Sequence, residues 1–379
     1  MSEPLHPDDT WPWPNPRANP ELVGQRAAER TLAQEFRSGR LAHAWLLTGP
    51  RGIGKATLAF RFARFVMSGG DAGTLGGALF GGAAVPGDGL AVDLENAAAR
   101  DIASLAHPDF RLVRRGYDAK KERWREEITV EDVRDTGTFL HLTPARGGWR
   151  MAVIDAADDM NPNAANALLK VLEEPPRQAL LLLVSHAPGR LLPTLRSRCR
   201  TLKLPSLEDG AVAALLGRYM PDLVPDDAAA LVRLAEGSIG RALELADAGG
   251  PELYRAILGA LGTLPRLDVP ALHEVAERLG RKDKAGDFRR ALELLSGITA
   301  RIARLAAGAP PGPEAVAGEG ALLARLARSA DGAAWAGLWT RLAGLVHAVD
   351  GLNLDRRLAW IDAILAIEAV LEERASAPS

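Results

Sequence analysis

Ala44-Trp-Leu-Leu-Thr48-Gly49-Pro50-Arg51-Gly52-Ile53-Gly54-Lys55-Ala56-Thr57 is a short apolar run that breaks into a glycine-rich loop and then enters a helical pattern. An apolar run of this length, ended by glycine, fits a strand buried on both faces. In a strand–loop–helix setting, glycines let the backbone approach a phosphate, and the N–H groups at the head of the next helix point at it. Gly49, Gly52 and Gly54 would form that cradle, and Lys55 would add a point charge. The bland alternative is a strand-to-helix turn that happens to hold three glycines and a lysine; the flanking elements favour the phosphate loop.

Two side chains that hydrolysis requires are missing. A complete loop of this kind ends in Ser or Thr, whose hydroxyl holds magnesium, and here that position is Ala56. Thr57 comes one residue too late, because one step along a helix turns a side chain by about 100 degrees. Arg150-Met-Ala-Val-Ile-Asp155 supplies the second strand of such a site, ending in a carboxylate for the metal. The next position, where a hydrolytic site carries the glutamate that positions water, is Ala156. Losing a general base costs about 10²- to 10⁴-fold in rate. Both defects point to a site that no longer turns over ATP. Whether it still holds ATP or ADP stays open.

Strand-like and helix-like segments alternate outward from this loop. Glu21–Arg37, Thr57–Met67, Val130–Leu140 and Asn163–Leu172 read as helices, and Phe110–Val113, Met151–Asp155 and Ala179–Ser185 as strands. Such alternation predicts an α/β fold with a parallel sheet covered by helices on both faces. Trp11-Pro-Trp-Pro-Asn-Pro16 cannot be helical, since each proline fixes its own φ and pushes its predecessor to extended geometry. Residues 1–20 are therefore expected as an extended arm, and residues 21–205 as the nucleotide-binding-type domain. After Pro205 only helical patterns follow, among them Ala211–Tyr219, Asp226–Ala235, Gly240–Ala248, Ala285–Ala307 and Leu354–Leu371. The turn residues Gly249-Gly250-Pro251 divide this half into a small helical piece, 206–250, and a larger bundle, 251–379. Ser68–Gly89 is glycine-rich and nearly uncharged, which predicts a poorly ordered loop or insertion.

Composition narrows the function. Lys and Arg total 46 against 48 Asp and Glu in 379 residues, so a whole-chain electrostatic grip on DNA is disfavoured. Arg111–Arg125 is locally basic, with Tyr117 and Trp124, but Glu122, Glu126 and Glu127 break up its charge, and a solvated loop is the favoured expectation. Met1–Pro14 holds Glu3, Asp8 and Asp9 but no basic n-region or apolar h-region, so no secretory signal is expected there; no apolar run approaches the roughly 18 residues of a membrane span, and a cytoplasmic protein is expected. The single cysteine, Cys199, excludes an internal disulfide and any multi-cysteine zinc site.

Three further segments carry a resemblance. Asn163-Ala-Ala-Asn166-Ala-Leu-Leu-Lys170-Val-Leu-Glu173-Glu174-Pro175-Pro176 closely resembles a helix of bacterial clamp-loader subunits. Leu195-Arg-Ser197-Arg198-Cys199, after Pro193, looks like their Ser-Arg-Cys motif. Gly237-Ser-Ile-Gly-Arg241-Ala-Leu is similar to their second sensor. With His43-Ala44 and His107-Pro108-Asp109, the chain resembles the clamp-loader AAA+ family over roughly residues 20–250, and the final bundle does so only in helical character.

That resemblance implies a RecA-like AAA+ domain, a helical lid and an all-α collar. It also implies a stator-like subunit of a hetero-oligomer with gamma/tau and delta subunits, which opens a sliding clamp and places it on primed DNA. Arg198 then corresponds to an arginine finger that reaches the ATP of a neighbouring gamma or tau subunit; the plain alternative is a surface arginine paired with a carboxylate. Ser185 corresponds to the first sensor and Arg241 to the second, both relics if the site is inactive. Asn166 and Lys170 share one helix face, which a solvated surface explains almost as well. Many relatives carry a four-cysteine zinc module between the first helix and the His-Pro-Asp segment; Ser68–Ala106 has no cysteine, so no zinc is expected. An active gamma/tau-type ATPase is the main alternative, and a free-standing DNA-binding protein a more distant one.

Overall fold

The structure is a computed structural model that describes residues 6, 9–70, 89–280, 285–352 and 355–375. The chain divides into two compact units, Met1–Ala211 with Gly237–Gly240, and Val212–Glu236 with Arg241–Ser379.

The first unit runs α1 (Arg26–Arg37), β1 (Ala44–Thr48), α2 (Lys55–Met67), α3 (Ala97–Ala103) and β2 (Phe110–Val113). A small hairpin, β3 (Tyr117–Asp118) and β4 (Arg123–Trp124), precedes α4 (Val130–His141) and β5 (Arg150–Asp155). Then come α5 (Pro162–Glu173), β6 (Ala179–Ser185), the single turn α6 (Pro193–Arg196) and β7 (Arg200–Lys203). Five strands form one sheet in the order β2-β5-β6-β1-β7, and every neighbouring pair is parallel. The expected parallel α/β sheet is present.

Its core follows from strict alternation along strands buried on both faces. Trp45 and Leu47 of β1, with Leu180, Leu182 and Val184 of β6, pack against Leu32 of α1 and Leu58, Phe62 and Phe65 of α2. Ala44, Leu46, Leu181 and Leu183 point the other way, onto Val133 and Leu140 of α4 and Ala164 and Leu168 of α5. The Asn161 side chain accepts from Ala164 N, and Pro162 occupies the first turn, which together start α5 at a fixed point.

Three sequence expectations change. Helix α1 begins at Arg26 rather than Glu21, because Pro20 and then Gly24, at φ 79°, interrupt the pattern. The edge strand β7 was not anticipated: Arg200-Thr-Leu-Lys203 is largely exposed and shows no apolar run. The basic segment is not a plain solvated loop, since Tyr117 and Trp124 pair across the hairpin with ring centroids 5.3 Å apart. The glycine-rich loop expected at Ser68–Gly89 falls mostly on residues 71–88, outside the described residues, while Ala97–Ala103 further on is helical with Asn96 as its cap.

The second unit is helical among its described residues: α7 (Asp209–Tyr219), α8 (Pro225–Leu234), α9 (Ile239–Asp247), α10 (Gly250–Gly262), α11 (Val269–Gly280), α12 (Ala285–Ala306), α13 (Glu319–Ala327), α14 (Gly332–Leu352) and α15 (Arg356–Ala375). The unit boundaries fall inside α7 and α9. Helix α12 packs against α13 and α14, and α11 against α15, around the buried Tyr254, Phe288, Trp335 and Trp360.

One polar knot fixes the edge of the sheet. Asp109, fully buried, accepts from Ala145 N at 2.7 Å and Arg146 N at 2.9 Å and pairs with Arg150 Nη2 at 3.2 Å. Arg150 also donates to Thr143 O at 2.7 Å and lies over the Phe139 ring at 4.7 Å. The carboxylate of His107-Pro108-Asp109 therefore ties the start of β2 to the loop that enters β5. Asp109→Ala leaves a buried guanidinium and two backbone donors unmatched, so urea unfolding of the first unit is expected to show a loss of about 3–5 kcal/mol. A loss below about 1 kcal/mol would put the pair among weak surface bridges instead.

Candidate functional site

The carboxyl ends of β1, β5 and β6 lie level: Thr48 pairs in register with Ser185, and Asp155 with Val184. In a parallel sheet with helices on both faces, ligands bind at this rim, outside the strand ends. The rim is where the sequence-derived loop residues gather.

From Thr48 the chain turns through Gly49, at φ 143°, and Gly52, at φ 76°. A Cβ at Gly49 would stand 2.5 Å from Leu204 O, and one at Gly52 only 2.4 Å from Ser238 Oγ. Close packing as well as φ thus requires glycine at both positions. Gly54, at φ 98°, caps α2, and Leu22 lies directly over it.

The carbonyls of this loop are all engaged by protein donors. Lys55 Nζ donates to Gly49 O at 2.6 Å and to Pro50 O. Ser238 Oγ donates to Arg51 O at 2.7 Å, and Gly240 N to Gly52 O at 3.0 Å. Gln25 Nε2 donates to Ile53 O at 3.3 Å, and Leu58 N to Gly54 O at 2.9 Å. In a trans peptide C=O and N–H point in opposite directions, so an anion cradle needs its carbonyls engaged elsewhere, as they are here. Lys55 itself is folded back on the loop and is 2% exposed. Burial pulls its amine down to about 8, against the opposing pull of Asp155 and Asp158.

The metal side of the site is poorer. Ala56 is partly exposed, while Thr57, one position round the helix, is buried. Asp155 stands half-buried at the end of β5, and Ala156 after it is buried and carries no acid. A hydroxyl and a general base are therefore both lacking where the metal and the attacking water would need them.

Ser185 is fully buried, and its Oγ donates to Asp158 Oδ1 at 2.7 Å. The other oxygen of Asp158 accepts from His186 N and, at 3.3 Å, from Ala187 N. Asp158 thus knots the turn after β5 to the end of β6. Sequence reasoning passed over it, since partners 27–29 residues away leave no local signal. His186 is neutral near pH 7, because burial and then the Lys55 charge push it down to about 4.

Arg198 is not part of this cluster. Arg198 follows α6; its Nη2 pairs with Glu173 Oε1 at 2.8 Å and its Nη1 donates to Thr194 O at 3.0 Å. Its side chain is 37% exposed. Beside it Cys199 is buried, which pushes its thiol up to about 12 and leaves it inert. Arg241 belongs to the second unit, where it pairs with Glu236 at 3.4 Å.

A buried ammonium has a signature in pH. With [13Cε]-lysine labelling, one lysine resonance is expected to titrate near pH 8, well below the rest, and to vanish in Lys55→Arg. The unfolded chain keeps that proton to about pH 10.4, so between these values it binds more protons than the folded chain. The Lys55 contribution to stability consequently rises with pH over that window. A Lys55 resonance that titrates with the surface lysines would remove the burial argument.

Comparison with known proteins agrees with this geometry. Residues 83–208 match the family described as DNA polymerase III, delta subunit. The delta-prime subunit of DNA polymerase III from Pseudomonas aeruginosa is 38% identical over 199 residues, 52% of this chain and 53% of that protein. The delta-prime subunit of Bacillus subtilis is 31% identical over 219 residues, 57% of each chain. A gamma/tau subunit from Mycobacterium bovis is 27% identical over 280 residues, 72% of this chain and 44% of that protein. The chain spans about half the length of the curated relatives it matches. The five-stranded parallel sheet and the glycine-cradled Lys55 accompany a likeness, over about half of the chain, to the DNA polymerase III delta-prime subunits.

Proposed function

We propose that this chain is a non-catalytic, delta-prime-type stator in a DNA polymerase III clamp loader, supplying Arg198 in trans to ATP held by a neighbouring gamma or tau subunit. The observation that carries the proposal is an asymmetry. The chain keeps the loop that cradles phosphate, yet has Ala56 and Ala156 at the positions of the metal-binding hydroxyl and the catalytic acid, while Arg198 stands partly exposed on a short, well-packed turn.

Arg198 has what such a role needs. Its partner Glu173 is half-exposed, and ion pairs of that kind contribute about 0–1 kcal/mol. A triphosphate of a neighbouring subunit offers a bidentate, charge-assisted alternative, so the guanidinium can leave Glu173 at little cost. In the transition state it would offset charge on the transferred phosphoryl group, an effect worth about 10³- to 10⁵-fold in rate for arginine fingers generally.

The phosphate loop of this chain would then hold ATP or ADP at most as a resting ligand. Lys55 and the loop amides suit a phosphate, whereas Ala56 leaves magnesium without its hydroxyl; no zinc is required. The partners would be gamma/tau and delta subunits directly, and the sliding clamp and primed DNA through the assembly. No described helix is long and apolar enough to cross a membrane, which agrees with a place in the cytoplasmic replication machinery.

Reconstitution with gamma or tau, delta, the clamp and primed DNA tests this. Arg198→Ala is expected to assemble normally while the clamp-stimulated ATPase falls at least about tenfold. Unchanged activity would take Arg198 out of the role. The purified chain alone should show no ATP turnover that depends on Lys55; turnover abolished by Lys55→Ala would favour an active gamma/tau-type motor instead.

A further inference from the structure

The second unit contains a cavity of about 270 Å³ walled by α8, α9, α10 and α12 and by the loop at Gly312-Pro313. Its charged lining is lopsided: Arg233, Arg241, Arg301 and Arg304 against the one carboxylate of Glu236. Arginine in preference to lysine suits planar, forked recognition of carboxylate or phosphate. Leu234, Leu294 and Ile298 give the same cavity an apolar side. Such a combination of apolar wall and a few placed polar groups characterises small-ligand sites, and the volume lies just below their usual range of about 300–1,000 Å³.

Arg301 is held in place by a network that a plain surface crevice would not need. Glu319 lies behind it with a side chain that is 0% exposed and pairs with the Arg301 guanidinium. Tyr254, also buried, donates its hydroxyl to Glu319 and accepts from Arg301 Nη1 at 3.1 Å. The second Glu319 oxygen accepts from Ala315 N at 2.6 Å, and Arg301 Nη2 donates to Pro313 O at 3.3 Å. Burying a carboxylate is costly unless it is fully bonded, and here every bond serves to aim one guanidinium at the cavity wall. Arg304, one helical turn further along α12, lines the same cavity and forms no ion pair with any described residue. Between Leu294 and Arg301 the helix carries Gly297, where an added Cβ would meet nothing within 4 Å. The missing side chain is what keeps the space open.

We propose that this cavity binds a small organic oxyanion, no larger than a mononucleotide, with its phosphate or carboxylate on Arg301 and Arg304 and its apolar body against Leu294 and Ile298. The residues that line it all belong to the second unit, so the site makes no use of the phosphate loop and stands whether or not Arg198 acts as a finger.

Calorimetric titration of the full chain with phenyl phosphate tests it, with benzoate, inorganic phosphate and phenol as companions. Phenyl phosphate is expected to saturate one site, inorganic phosphate to bind more weakly for want of an apolar body, and phenol not to bind. Benzoate binding as well as phenyl phosphate would mark a carboxylate site and weaker binding a phosphate site; either keeps the oxyanion. Arg304→Ala should weaken phenyl phosphate about tenfold or more, the usual scale of a charge-assisted contact. Gly297→Leu, whose Cβ would meet nothing within 4 Å, should abolish binding while the melting temperature holds. Lys55→Ala should leave binding unchanged. No saturation at millimolar phenyl phosphate, equal binding of phenol, or loss on Lys55→Ala with indifference to Gly297→Leu would each overturn the proposal.

Discussion

A strand buried on both faces can meet solvent only at its ends, and β1, β5 and β6 are such strands. Every side chain between Ala44 and Thr48, and between Ala179 and Ser185, is buried, so chemistry has no place along them. The parallel arrangement then brings all carboxyl ends to one rim, and the register sets Thr48 beside Ser185 and Asp155 beside Val184. Position at the rim is therefore a consequence of hydrophobic burial in the strands, and the loop, the acid and the buried serine follow from it. The knot of Asp158 with Ser185, His186 and Ala187 does for two strand ends what the ladder does for their middles.

The same constraint explains what could be read from the sequence. Strands with continuous apolar runs were legible to the residue: Ala44–Thr48 and Ala179–Ser185 are found as expected, and β5 includes Arg150, which is buried by Asp109, Thr143 and Phe139 in spite of its charge. The edge strand β7 was illegible for the converse reason, since one unpaired edge and exposed side chains need no apolar pattern. The loop glycines were visible because φ and close approach leave no alternative to glycine. Asp158 was not, because its meaning lies in donors almost thirty residues away. Arg198 was found only through likeness to a family motif; an arginine with one exposed carboxylate partner carries no physical signal of its own.

A degenerate site need not be a collapsed one. On the proposed non-catalytic reading Lys55 serves no turnover, and burying an ammonium costs stability at neutral pH, yet Lys55 is present, with its charge spread over the Gly49 and Pro50 carbonyls. Ser238 and Gly240 brace the same loop at Arg51 O and Gly52 O. Lys55 is thus part of the packing at the rim as well as a potential phosphate ligand. That dual role gives a physical reason for the cradle lysine to stand beside Ala56 and Ala156.

Arg198 and Arg301 show how the surroundings of a guanidinium govern what it can do. The first is held by a half-exposed glutamate and one carbonyl, bonds that water replaces at small cost. Such an arginine is free to change partners, and any anion brought near it competes with Glu173 on nearly equal terms. The second is held by a carboxylate with no exposure and by a buried tyrosine, so moving it would strand Glu319 in a dry interior at a cost of several kcal/mol. An arginine of that kind does not travel; a ligand has to come to it. Mobility in one case and fixity in the other suit opposite tasks, reaching into a neighbour and receiving a ligand within the chain, and the difference between them lies entirely in the burial of the acid behind the arginine.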